Sequence, residues 1–448
     1  MASIRPPAVA GSFYPGEPRA LALELDDLLG GVLHLEPRLE FPKALIVPHA
    51  GYVYSGEIAA RAYDELAPAR GIVSRVILLG PAHRVPVRGL AAPGADAFAT
   101  PLGNVPVDRE TLRTVQDMPQ VVTSDAAHAP EHCLEVQLPF LQKVLGAFTL
   151  VPFAVGTASV REVAEVIERL WGGPETLIVV STDLSHYHPY REAKRIDGAT
   201  LERVRSFATD IDHEEACGAT PLNGLLSVAK KRQMSVQLLA ACNSGDTAGD
   251  KGQVVGYGAL ALRQGEGVSQ ADAGSTLLSI ARGSIEAEIN KKTMVAPEDR
   301  WLAQAGASFV TLMCAGSLRG CIGSLEAVRP LGIDVAENAR GAAFRDPRFG
   351  ALTGQEWLQC QVEVSLLSAP KPLRFADEDA LLAQLCPGED GVILESAGRR
   401  GTFLPQVWDA LPEPRQFMRE LAKKAGLARD ERFARCRVSR YRVIKWSE

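Results

Sequence analysis

Four short, mostly apolar runs constrain this chain most, because each one ends on a polar group able to do chemistry. Ala44-Leu-Ile-Val-Pro leads to His49, and Val76-Ile-Leu-Leu-Gly-Pro leads to His83. Leu177-Ile-Val-Val-Ser-Thr leads to Asp183, with His186 three residues on, and Val236-Gln-Leu-Leu-Ala-Ala leads to Cys242. Runs of this kind are strands covered on both faces, and the helix-like stretches between them are what covers such a sheet. The fold class is therefore α/β, with a buried central sheet in the first part of the chain. In open α/β sheets ligands collect beyond the carboxyl ends of the strands, so the four polar groups are expected on one rim.

A chain of 448 residues exceeds what one core usually organises, so two or three domains are expected. The stretch 263–275, Arg-Gln-Gly-Glu-Gly-Val-Ser-Gln-Ala-Asp-Ala-Gly-Ser, is polar, rich in small residues and without apolar periodicity, and it reads as a linker. Behind it Leu277, Ile280, Ala281 and Ile285 recur at helical spacing, with Ser275 as the expected N-cap. The division is thus 1–262, a linker at 263–275, and 276–448.

No apolar stretch approaches the roughly 20 residues of a membrane helix, and no secretory signal opens the chain, so the expected compartment is the cytoplasm. Eight cysteines scattered without CxxC spacing read as reduced thiols. The net charge is -6, and despite a basic C-terminal edge it lacks the strong positive footprint of a nucleic-acid binder. All eight histidines, His34 to His213, precede the linker, so chemistry that needs imidazole belongs to the first domain.

Two histidines at equivalent strand ends suggest a metal site held by His49 and His83, with Cys242 as the third ligand. A carboxylate in third place would point to iron(II), whereas a thiolate suits zinc or copper as well. Asp183 and His186, three apart, are expected on one face of a first helical turn, with His186 as acid/base and Asp183 orienting it. Tyr54, in Pro48-His-Ala-Gly-Tyr-Val-Tyr-Ser-Gly56, is a pocket-lining candidate. Glu131 and His132 open an amphipathic stretch with Leu134 and Leu138 at helical spacing, and its first turn would reach the cleft.

In order along the chain, the first domain carries Arg5-Pro-Pro-Ala-Val-Ala-Gly-Ser-Phe-Tyr-Pro15, the Pro48–Gly56 motif, Gly80-Pro-Ala-His83, Glu131-His132, Glu135-Val-Gln-Leu-Pro-Phe140, Ser181-Thr-Asp-Leu-Ser-His186 and Gly256-Tyr-Gly-Ala-Leu260. In this series it resembles the Memo family, whose fold is that of LigB-type class III extradiol dioxygenases. The resemblance implies metal ligation by His49, His83 and Cys242, with Asp183 and His186 nearby. Iron(II) comes first, and copper or zinc are alternatives. The ring-cleaving enzymes use a carboxylate where a cysteine is expected here, so the implied activity is a dioxygenase-like redox role. A non-catalytic scaffold with a vestigial pocket and a zinc-dependent hydrolase remain open beside it.

The second domain contains Leu318-Arg-Gly-Cys-Ile-Gly-Ser-Leu325, Ala342-Ala-Phe-Arg-Asp-Pro-Arg-Phe349, Val362-Glu-Val-Ser-Leu-Leu367 and Gly401-Thr-Phe-Leu-Pro-Gln-Val-Trp408. On these residues it resembles the AMMECR family, which implies a smaller α+β fold. Here Cys321 is a candidate nucleophile, with Arg319 placed to favour its thiolate. The two families resemble components of a three-part AmmeMemoRadiSam set whose third member is a radical S-adenosylmethionine (SAM) enzyme. That enzyme is the implied partner, acting on an unidentified small molecule or protein.

Overall fold

The computed structural model describes residues 3–32, 40–264, 270–293, 299–396, 398–427, 433 and 436–448, so His34 lies outside the described residues. Among the described residues, nine strands form the larger sheet of the first unit, beside a three-stranded sheet of Ile4–Arg5, Ala97–Thr100 and Gly103–Pro106. The strands of the larger sheet are Ala44–Val47 (β1), Arg75–Pro81 (β2), Leu90–Ala92 (β3), Val121–Thr123 (β4), Thr149–Val155 (β5), Thr176–Ser181 (β6), His186–His188 (β7), Met234–Asn243 (β8) and Val254–Gln264 (β9). Their order is β7-β9-β1-β6-β2-β5-β3-β4, and β8 pairs with β9. At the centre β1, β6, β2 and β5 run parallel.

The apolar runs make these central strands because both faces are covered. Ile77, Leu78 and Leu79 of β2 and Ile178, Val179 and Val180 of β6 are all fully buried. Each such side chain contributes at most about 1.5–3 kcal/mol, an upper bound because the unfolded chain already hides some surface. Parallel neighbours point their carboxyl ends the same way, so β1, β2 and β6 deliver His49, His83 and Asp183 to one rim.

The N-terminal segment is tied to that rim by a buried network. The Arg5 guanidinium donates to Glu135 at 2.5 Å and to the carbonyl oxygens of His128 and Glu131 at 2.9 and 2.6 Å. Glu135, wholly buried, also accepts from the Ala8 and Val9 backbone N–H groups and from the Tyr14 hydroxyl. The network fixes residues 5–14 against the stretch that carries Glu131 and His132.

Among the described residues two compact units divide the chain, one made of 3–32 and 41–264, the other of Glu40 and the residues from Gln270 onward. The 263–275 stretch is mostly regular structure among its described residues. Arg263 and Gln264 finish β9, and a helix spans Gln270–Ile289, so Ser275 lies inside that helix and is not its N-cap. The small residues serve packing. A Cβ on Gly274 would come within 2.3 Å of the Trp446 ring, while Leu277, Ile280, Ala281 and Ile285 form the buried face as their spacing predicts.

In the second unit this helix and Leu331–Phe344 belong to the core that includes Val310 and Leu312 of the strand Ala305–Cys314 and Val362 and Val364 of Cys360–Leu367. A separate four-stranded sheet has its own core, where Trp408 and Phe417 stack at 3.7 Å. Cys314 and Cys360 stand directly opposite on neighbouring strands and form a disulfide, which corrects the expectation that all eight cysteines are reduced. The strand register brought the pair together, and linear spacing gave no sign of it. Among the described residues, no helix is long and apolar enough to cross a membrane.

Candidate metal centre

At the rim, His49, His83 and His132 each offer a ring nitrogen, and the three atoms lie within 4.8 Å of one another, a group that could hold a metal ion. The ring centroids are 5.1 Å apart for His49 and His83, 5.4 Å for His49 and His132, and 4.8 Å for His83 and His132. Phe13, delivered by the N-terminal segment, meets the His132 ring edge-on at 5.0 Å.

Two of the imidazoles are held through Nδ1. His83 Nδ1 lies 2.9 Å from Glu131 Oε1, and His49 Nδ1 lies 2.9 Å from Ser181 Oγ. This leaves Nε2 of each as the atom for an ion, and a metal-ligating histidine is commonly oriented in this way through its other nitrogen. Burial would raise the Glu131 carboxyl. The His83 ring and the backbone N–H groups of His83 and Cys133 outweigh that and bring it down to about 2. His132 is less well seated, because its Nδ1 is 3.3 Å from Glu131 Oε1 without the alignment of a hydrogen bond. Burial lowers its pKa to about 4, and it holds His49 well below the ordinary histidine value. The rings of His49 and His132 are thus neutral, the form that binds metals.

Cys133 Sγ groups with His83 and Glu131, the ligand atoms within 4.8 Å of one another, and a second sulfur at the site is that of Cys217. Its Sγ lies 3.4 Å from His49 Nε2 and accepts from the Asp183 N–H at 3.3 Å. A glycine makes the approach possible, since a Cβ on Gly218 would stand 2.6 Å from Thr182 Cβ and 2.8 Å from the Ser181 carbonyl oxygen. Burial, with the Asp183 charge adding to it, pushes the Cys217 thiol up to about 12.

Cys242, the expected third ligand, is not among the groups gathered around the histidines. It lies within β8, opposite Tyr257 of β9, so one whole strand separates it from β1. At normal strand spacing that is about 10 Å. Its electrostatic neighbours are Asp246, Glu57, Lys194 and Asp197.

Asp183 and His186 do not share a helical turn. The backbone is held elsewhere, because Thr182 N–H donates to the Val47 carbonyl, Leu184 N–H to Gly256, and Gly256 N–H back to Ser185. His186 instead begins β7, paired with Val255. Asp183 Oδ1 accepts from the His49 N–H at 2.7 Å, and its Oδ2 is 3.8 Å from His49 Nε2. Burial raises its carboxyl above the ordinary value, while the His49 N–H and the charge of His186 pull the other way. Tyr54 is 37% exposed on the helix Tyr52–Asp64, within electrostatic range of Tyr257. Glu131 and His132 precede the helix Leu138–Leu145 and reach the site from irregular backbone.

In the second unit, Arg319 has an acidic and a carbonyl partner. Its guanidinium bonds Glu356 at 3.1 Å and the Gly350 carbonyl at 3.0 Å. Cys321 Sγ accepts from the Thr311 hydroxyl at 3.3 Å, and Asp346 accepts from the Cys321 N–H at 2.9 Å.

Residues 5–261 match the family model described as Memo-like protein, and residues 278–446 match AMMECR1. Among curated relatives, a MEMO1 family protein of Aquifex aeolicus is 37% identical over 268 residues, covering 57% of this chain and 97% of that protein. One from Aeropyrum pernix is 38% identical over 281 residues, covering 57% and 99%. A solved structure of an uncharacterised Pyrococcus horikoshii protein is 29% identical with a TM-score of 0.37, covering 39% of this chain and 91% of that one.

Proposed function

Because the chain belongs to the Memo family, here joined to an AMMECR1-type domain, we propose that its first unit is a metal-dependent redox protein of the dioxygenase-like kind. The observation that carries this reading is the convergence of three imidazoles, two of them with Nδ1 already engaged, beside the Cys217 sulfur. The donor set fits a divalent ion. His49 and His83 would hold it through Nε2, with Cys217 and His132 beside them. Iron(II) is our first choice, and the sulfur makes copper or zinc the alternatives. The bound ion would supply Lewis acidity and, for iron or copper, one-electron chemistry.

This chain's own residues account for the rest. Glu131 anchors His83 by its ring and its backbone, at 2.9 and 2.7 Å. Asp183, whose carboxyl is raised by burial, is the group able to hold or pass a proton near the ions' ligands, with His186 within its electrostatic range. Phe13 packs on His132 and keeps water from that side. As a partner we propose the radical SAM enzyme of the three-part set, to be tested by co-purification.

The test is metal analysis after purification under argon. Wild type should carry about one equivalent of iron, copper or zinc, and the His49→Ala/His83→Ala protein should carry almost none. Equal, negligible content in both would contradict the proposal.

A further inference from the structure

The hydrogen bonds around His49 fix more than its position. Gln137, wholly buried, has its amide oriented by carbonyl oxygens that can only accept. Nε2 donates to the Pro48 oxygen at 2.9 Å, approaches the Cys133 oxygen at 3.4 Å and donates to Ser181 Oγ at 2.9 Å. Its Oε1 accepts from the Tyr63 hydroxyl at 2.8 Å. A flipped amide would set oxygen against the Pro48 oxygen, so the orientation is unique. Ser181, also wholly buried, has one proton, and it goes to the Cys133 carbonyl at 2.7 Å. Toward Gln137 and His49 the Ser181 oxygen can therefore only accept.

We infer that Ser181 and Gln137 are positioning residues that lock His49 as its Nδ1–H tautomer, leaving the Nε2 lone pair for an ion. The opposite tautomer would need the Ser181 proton for Nδ1 and would leave the Cys133 oxygen facing Ser181 Oγ at 2.7 Å with no proton between them. Gln137 acts twice, since its bond to the Pro48 carbonyl also holds the backbone immediately before His49. The two ligand rings are thus fixed differently, His83 by a carboxylate and His49 by a neutral relay from Tyr63 through Gln137 to Ser181.

The inference rests on the metal-site reading, yet its first test needs no metal. Long-range nitrogen–proton correlation spectra of metal-free wild type labelled with nitrogen-15 at histidine, with His49 assigned by its absence in His49→Gln, should show pyrrole-type Nδ1 and pyridine-type Nε2. A pyridine-type Nδ1 overturns the inference. In Ser181→Ala the His49 signals should move toward the other tautomer, and cobalt(II) affinity by chelator competition should fall about 10–100-fold, as for other residues that orient ligands. Unchanged signals and affinity in a folded Ser181→Ala protein would also overturn it. Failure of wild type to bind cobalt(II) would sink the metal reading alone, because the spectra still decide the tautomer.

Discussion

Cys217 and Cys242 show at the scale of single residues what strand-end reasoning reaches and what it passes over. Both thiols are pushed up to about 12, burial being the main cause, so their proton affinity does not separate them. Position does, because Cys217 touches His49 and Cys242 faces Tyr257 one strand further out. Cobalt(II) added to the metal-free protein should therefore give a sulfur-to-metal charge-transfer band in wild type and Cys242→Ser, and none in Cys217→Ser. A band kept in Cys217→Ser and lost in Cys242→Ser would reverse the assignment. His49, His83 and Asp183 were legible because each follows an apolar run. Cys217 follows none. It precedes the helix Ala219–Lys231, and the only local hint was its neighbouring Gly218, whose missing Cβ lets the turn press against Thr182.

Among the elements, the N-terminal segment matters beyond its length. Arg5 and Glu135 form an ion pair with side chains 4% and 0% exposed, and removing one partner of such a pair strands the other charge. Glu135→Ala should lose about 3–5 kcal/mol in denaturant unfolding, and a loss under about 1 kcal/mol would contradict this account of the segment. The helix Asp125–His128 supplies a second test. Burial lowers His128 to about 4, partly offset by its bond to the Ala91 carbonyl at 2.8 Å. Between pH about 6.5 and 4 the unfolded chain binds a proton that the native state refuses, so stability falls as pH drops through that window, by about 3 kcal/mol in full. His128→Gln should flatten that part of the pH–stability curve, and an unchanged slope would count against it. The expected helical turn at Asp183 and His186 failed because three-residue spacing says nothing about β9, whose backbone bonds hold this stretch extended.

For the whole molecule, the division into two compact units was visible in composition and in the confinement of histidine to the first, although small residues at 270–275 disguised a packed helix as linker. Each unit has its own hydrophobic core, and the histidine cluster lies in the first. The disulfide in the second unit was beyond reach, since only the pairing of Ala305–Cys314 with Cys360–Leu367 sets the two cysteines opposite each other. In the proposed function, distant strand ends bring imidazoles together on one ion. Anomalous scattering from a crystal of the zinc-loaded full chain tests this most directly. One peak should lie about 2.0–2.1 Å from Nε2 of both His49 and His83. A peak bound elsewhere, or those two rings bound to separate ions, would contradict it.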